Sequence, residues 1–373
     1  SGLIAMLATA AMARSMSAGS GRVAFLAVLA YCLMPAYHLT ALLMTIDGPY
    51  IACWAVSCWA FWEIIRARLA GREAPWFWLT LACAMGIGFL FKYTILLLAP
   101  GMIGFVLLKR ASLRWTPLSA LLLGAATVVF LALCAPVVIW NARNGWPTVA
   151  HLLGHLHAPG GDVPSVRSTG WSYNPMWTLS FVGSQLGVAG PLLVAMVIGW
   201  RGLRRRSRET GAADPANDLC LWLAAPILIF YFCVSLVTDA EGNWPIAGYI
   251  TLLIPVARFG AMELPRHRAL VRAWLADPAR PRAGIFRRRP ETWFQIAWDW
   301  SLGCGIVVGL GVLSLGTLHR LPLIGDLIPM RRLSGSREFA QSVAHVREQA
   351  QSAGGPLPFV MTDRYTHTAL LAY

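Results

Sequence analysis

A chain of 373 residues with 57% hydrophobic and only 13% charged residues is too apolar for an ordinary water-soluble protein. Its net charge of +14 is split among short loops between long apolar runs, which excludes a nucleic-acid-binding stripe and fits anionic lipid. Apolar runs of about 15–25 residues lie near 23–43, 49–65, 76–91, 93–108, 117–140, 179–200, 219–237, 245–257 and 296–318, with a partial run at 2–13. Crossing the membrane at each run places 22 of the 31 Lys and Arg residues on one side: Arg14 and Arg22, Arg66 to Arg72, Lys109 to Arg114, Arg201 to Arg208, and Arg258 to Arg289. The positive-inside bias makes that side cytoplasmic and leaves Lys92, Arg143 and Arg167 in outer loops.

All eight cysteines fall within apolar runs, so no disulfide framework is expected in the outer loops. Ser1 opens directly onto apolar residues and Arg14 follows them, the reverse of a signal peptide. The chain is therefore read as starting inside a span and as part of a longer protein. Trp76 to Leu108 is one apolar region interrupted only by Lys92. Two short helices meeting at an outer turn are predicted there, because a single helix would bury the ammonium near mid-membrane at a cost of about 2.5–3.5 kcal/mol. The outer loop 141–178 is long enough for a short helix lying on the membrane, with Trp140, Trp146, Trp171 and Trp177 at the headgroup boundary. After Arg320 the sequence turns polar; a helix at 335–352 and a strand at 357–361 are predicted to start an outer α/β domain. The predicted organisation is a transmembrane domain at 1–318 and the start of an outer domain at 319–373.

Chemistry is concentrated at the outer ends of the spans. Asp47, in Met44-Thr-Ile-Asp47-Gly-Pro-Tyr50, is a carboxylate at a tight turn between two spans, suited to binding a cation, positioning a metal or accepting a proton. The same residue before Gly-Pro also suits a plain helix cap. Lys92 is a natural partner for a phosphate or diphosphate, or a snorkelling lysine that marks a helix end. Asn141 and Arg143 offer hydrogen bonds to a sugar or phosphate, among aromatic neighbours. His151 and His155, at i, i+4, are the weak candidates for a divalent metal ion, the one cofactor the outer loop suggests. Asp239, Glu241, Asn243 and Trp244 crowd another outer turn, which shares a face with Asp47 and Lys92 and suggests one cleft.

Taken in order, Leu-Met-Thr-Ile-Asp47-Gly-Pro, Gly88-Phe-Leu-Phe-Lys92-Tyr-Thr, Pro136-Val-Val-Ile-Trp140-Asn-Ala-Arg143-Asn-Gly-Trp, Gln185-Leu-Gly with Gly190-Pro191, Glu241-Gly-Asn243-Trp244-Pro245 and Thr362-Asp-Arg364-Tyr365 resemble bacterial glycosyltransferase family 39. That family is related to the protein O-mannosyltransferases and the lipid A aminoarabinose transferase. The resemblance implies an all-α polytopic bundle of the GT-C type, with about ten spans here. It also implies transfer of a sugar from a polyprenyl-phosphate donor to a periplasmic protein, lipid A or glycan, at the outer face of the bacterial inner membrane. On the same footing Asp47 is the catalytic acid of the cavity, Lys92 and Arg143 are ligands of the donor phosphate, and Tyr93, Asn141, Glu241, Asn243, Trp244, Arg364 and Tyr365 line the cavity. The family's first helix and the acidic loop that supplies the acceptor's base would precede Ser1. A lipid or small-solute transporter and a non-catalytic relative are the alternatives; the first should show inverted repeats and broken mid-membrane helices.

Overall fold

A computed structural model of the chain describes residues 1–42, 45–155, 160–161, 173–276, 292–318 and 336–352. The chain divides into two compact units, Ser1–Gly309 and Leu310–Tyr373. Lipid offers a backbone no hydrogen bonds, so each apolar run satisfies its own amides as helix. In chain order these are α1 (Gly2–Ser15), α2 (Gly21–Leu33), α3 (Pro35–Leu42), α4 (Asp47–Leu69), α5 (Pro75–Phe91), a 3₁₀ turn (Tyr93–Leu97) leading into α6 (Leu98–Lys109), and α7 (Pro117–Arg143). There follow α8 (Pro147–His155), α9 (Pro175–Ala189), α10 (Leu192–Thr210), α11 (Pro215–Val234), a 3₁₀ turn (Ile246–Gly248) entering α12 (Tyr249–Ala276), α13 (Trp293–Leu313), α14 (Leu315–Leu318) and α15 (Ser336–Ser352). Proline opens six of these helices, at a position where its missing N–H would have had no helical partner.

The 76–108 region forms the two helices expected, and α8 and α15 match the short outer-loop helix and the polar helix near 335–352. Strand 357–361 lies outside the described residues. Two runs differ from straight spans. The run at 23–43 bends by 77° between α2 and α3, and the run at 179–200 by 86° between α9 and α10. Pro35 forces Met34 out of helical geometry to an extended ψ of 117°. Gly190 takes φ +59°, a conformation that favours glycine. The breaks meet, since a Cβ on Gly190 would lie 3.6 Å from the Pro35 ring. Among the described residues four helices are long and apolar enough to cross a membrane, or six if each bent pair counts as one span; α1, α5 and the 93–109 pair are shorter apolar helices. Helix α12 runs well past the apolar stretch at 245–257, because its basic continuation is rich in Ala, Leu and Arg, which favour helix as much as they oppose lipid.

Helix α4 packs chiefly on α1 and α5, and α12 on α2 and α10. Fully buried alanines at 5, 27, 30, 60 and 257 let the backbones of these seams approach closely, which is how helices associate where lipid is as apolar as leucine. Helix α7 is the opposite case, with only 6% of its most apolar window buried, so its leucines and valines are left for lipid.

The end of the bundle that carries most of the arginines is fastened by ion pairs. Lys109 pairs with Asp218 at 2.8 Å, linking α6 to α11, and Arg258 of α12 with Asp214 at 3.0 Å. Asp214 also caps α11 by accepting from the Asn217 amide. Arg68, 1% exposed, donates to Glu73 Oε1 at 2.5 Å; the same oxygen accepts from the hydroxyls of Thr116 and Ser119, tying the α4–α5 turn to the start of α7. Burial alone would push the Glu73 carboxyl up, but the two hydroxyls and the Arg68 guanidinium outweigh it and hold the acid below its ordinary value. A carboxyl lowered by folding adds stability above its unfolded value of about 4.3, and that contribution is lost as pH falls through the folded value. Glu73→Gln should therefore lower the melting temperature of the detergent-solubilised chain at pH 7. The variant should also lose less stability than the parent on acidification below about pH 4.3, as followed by tryptophan fluorescence.

Candidate active site

Lys92 owes its position to the glycine four residues before it. The Lys92 backbone is extended, at φ −155° and ψ 120°, and its amide donates to Gly88 O at 2.9 Å to close α5. A Cβ on Gly88 would come within 2.3 Å of Ile95 Cδ1 and 3.0 Å of Cys53 Cβ, so glycine lets the 93–97 turn fold back against α5 without displacing the Ile95 side chain. The ammonium is thereby delivered to the N-terminus of α4.

Asp47 stands in the first turn of α4, where the plain reading was a helix cap. No side-chain cap bond is made there. Instead Asp47 Oδ1 accepts from Lys92 Nζ at 2.7 Å, and Oδ2 accepts from Asn243 Nδ2 at 3.2 Å. The Lys92 side chain is 19% exposed and that of Asp47 11%, so the ammonium is turned inward rather than extended to water. It also stands 5.6 Å from the centre of the Tyr50 ring, whose hydroxyl accepts from Thr94 Oγ1 at 3.1 Å. Asp47, Lys92 and Asn243, far apart along the chain, thus meet at one point.

Asn243 reaches Asp47 because its turn is pinned on both sides. Gln185 Nε2 donates to Gly242 O at 3.2 Å, while Gln185 Oε1 accepts from the buried Tyr249 hydroxyl at 2.9 Å. Tyr37 donates to Ile246 O at 3.0 Å. Trp244 packs its half-buried ring on Tyr231, with centroids 5.4 Å apart. Glu241 is exposed; its carbonyl closes the turn by accepting from the Trp244 amide.

Tyr93 and Asn141 converge on Thr148, a residue with no signal in the sequence. The Tyr93 hydroxyl donates to Thr148 Oγ1 at 3.4 Å, and Asn141 Oδ1 accepts from both the Thr148 amide and its hydroxyl. Asn141 Nδ2 donates to Val137 O, and the residue is 3% exposed. Its polar groups are spent on clasping α8 to the end of α7, not presented to a sugar. Arg143, in the last turn of α7, is exposed. His151 is exposed on α8; the His155 side chain, and Arg364 and Tyr365, lie outside the described residues. Among the described residues no three His, Cys, Asp or Glu side chains gather to hold a metal ion, and both Asp47 oxygens are already engaged.

An apolar groove of about 570 Å³ runs between α5, α6 and α7, lined by Trp78, Met85, Leu96, Ile103, Leu123 and Phe130. Phe130 meets Phe89 edge to face at 6.4 Å, and Phe89 stacks on Tyr93 at 4.7 Å, so an aromatic path joins the groove to the residue beside Lys92. Chemically the arrangement is a single half-buried cation whose charge is balanced by one carboxylate; an anion arriving at Lys92 would compete for the ammonium with charge-assisted hydrogen bonds. Gln185→Ala removes the clasp on the Asn243 turn. Hydrogen–deuterium exchange of amides 243–248 should rise in that variant while those of α4 stay unchanged.

Residues 1–140, the stretch that holds Asp47 and Lys92, match the family model described as dolichyl-phosphate-mannose-protein mannosyltransferase. The lipid A galacturonosyltransferase RgtD of Rhizobium johnstonii is 24% identical over 224 residues, covering 59% of this chain and 42% of that protein. The crystal structure of ArnT from Cupriavidus metallidurans bound to undecaprenyl phosphate matches with a TM-score of 0.52 at 16% identity, over 85% of this chain and 56% of that one. The chain spans about half the length of these relatives. The chain has the helical membrane-protein fold seen in ArnT and, over its first 140 residues, the sequence pattern of the family model described as dolichyl-phosphate-mannose-protein mannosyltransferase.

Proposed function

We propose that this chain forms the membrane domain of a glycosyltransferase that moves a sugar from a polyprenyl-phosphate donor to an acceptor at the face carrying Asp47 and Lys92. The observation that carries the proposal is the pairing of Lys92 with Asp47 and, through Asp47, with Asn243, at the outer ends of elements far apart in sequence. A buried ion pair is weak as a stabilising device, so a half-buried one kept in lipid surroundings calls for another reason. Phosphate binding supplies it.

In the reaction the bond between the anomeric carbon and the phosphate oxygen breaks, and its electron pair leaves with the polyprenyl phosphate. The acceptor oxygen bonds to the anomeric carbon and gives its proton to a carboxylate of the full protein. Lys92 stabilises the charge that grows on the departing phosphate, with Arg143 as a second cation from the exposed end of α7. Asp47 and Asn243 hold the ammonium in place until the donor takes it over. The apolar groove between α5, α6 and α7 takes part of the isoprenoid tail, entering beside Tyr93. The charge bias puts this face in the periplasm of a bacterial inner membrane. A mannose-like or aminoarabinose-like sugar fits the resemblance, and lipid A is the acceptor that the RgtD name favours over protein or glycan. No step here needs a divalent ion, and chelation should leave transfer unchanged.

The test is sugar transfer from a labelled polyprenyl-phosphate donor by the full natural protein in proteoliposomes. Lys92→Ala and Asp47→Asn should insert normally and lower transfer at least tenfold, about 1.4 kcal/mol or more in barrier. Normal transfer by both variants would overturn the site assignment. Passage of intact donor across the bilayer without transfer would favour a transporter.

A further inference from the structure

At the arginine-rich end of the bundle, away from Asp47, a second pocket of about 490 Å³ opens between α2 and α12. Its volume is within the roughly 300–1,000 Å³ usual for small-molecule sites. Arg22 enters from the first turn of α2, and Arg268 and Arg272, one turn apart on a single face, enter from α12. Phe25, Leu264 and Pro265 form its apolar wall. Phe25 is 65% exposed, so this wall continues onto the lipid-facing surface of α2.

Three cations therefore converge over an apolar floor, and among the described residues no carboxylate lines the pocket. The α10 arginines line a pocket of their own, but two of them already have partners. On α10, Arg205 pairs with Glu209 at 2.7 Å and Arg204 lies over the Trp200 ring at 5.0 Å. Arg266, close by on α12, pairs with Glu263. Arg22, Arg268 and Arg272 have no such partner among the described residues; all three are exposed, so together they present an uncompensated positive patch beside an apolar wall. A phosphodiester is the anion native to this depth of a bilayer, and an acyl chain is the natural cover for Phe25.

We propose that Arg22, Arg268 and Arg272 form a binding site for one anionic glycerophospholipid of the arginine-side leaflet. The arginines hold the phosphate and an acyl chain lies along Phe25. The lipid bridges α2 to α12 at the end opposite the active site.

The full natural protein, purified from nanodiscs containing equal phosphatidylglycerol and phosphatidylcholine, would be analysed for retained lipid by native mass spectrometry. The expected result is one phosphatidylglycerol per chain. The variant Arg22→Gln/Arg268→Gln/Arg272→Gln should lower that retention at least tenfold, whereas the charge-matched variant Arg201→Gln/Arg204→Gln/Arg208→Gln should not. Equal losses in both variants would overturn the proposal in favour of diffuse attraction to acidic membranes. No loss in the first, or displacement of the lipid by millimolar inorganic phosphate, would overturn it as well. Should the triple variant fail to fold, Arg268→Gln alone is expected to reduce retention at least threefold, and unchanged retention would count against the site.

Discussion

The contact between Lys92 and Asp47 sets the terms for the outer half of this molecule. Two opposite charges held half-buried at the ends of neighbouring helices are costly to bring out of water, and their mutual attraction rarely more than offsets that cost. The pair persists because neutral packing places both partners before the charges meet. Gly88 admits the turn that carries Lys92, and the close seams of α4 with α1 and α5 fix where α4 begins. From there the constraint spreads outward. Asp47 needs a second donor for its other oxygen, Asn243 supplies it, and Gln185, Tyr249 and Tyr37 hold the Asn243 turn within reach.

The two ends of the bundle solve different physical problems. At the arginine-rich end, Arg68 with Glu73, Lys109 with Asp218 and Arg258 with Asp214 each join separate helices or turns, so the helices are fastened where they are most charged. At the other end, among the described residues, one ion pair is surrounded by neutral hydrogen bonds from amides and hydroxyls. Such groups exchange partners at lower cost than charges do, which suits the entry and exit of a charged headgroup under the proposed function. The bends at Pro35 and Gly190 touch each other and shorten two apolar runs, so α3 and α9 depart from the direction of the helices that precede or follow them.

A lipid bridging α2 and α12 would complete the fastening of the arginine-rich end without involving the site at the other end. The separation is physically sensible. Attraction between a phosphodiester there and Lys92 would be weakened by their separation along the bundle, leaving Lys92 to be neutralised by Asp47 or, under the proposed function, by a donor.

Membrane character and the gathering of arginines at one end of the spans were legible in the sequence, because lipid forbids unpaired backbone and distributes arginines by side. So was the break at Lys92, since a buried ammonium in the middle of a long helix is too costly. Asp47, Lys92 and Asn243 could be named as candidates from their turns, yet whether Asp47 capped its own helix or faced a lysine 45 residues away depended on how α4 meets α5. Asn141 shows the converse: its type suggested a ligand contact, and Thr148 consumed its carbonyl. Gln185 lay within a motif but had no visible task until Gly242 and Tyr249 were found on either side of it. Composition and periodicity report how each segment meets its solvent, which is a local property. Which polar groups satisfy one another is decided by contacts between segments up to about two hundred residues apart, and only the packed bundle brings those together.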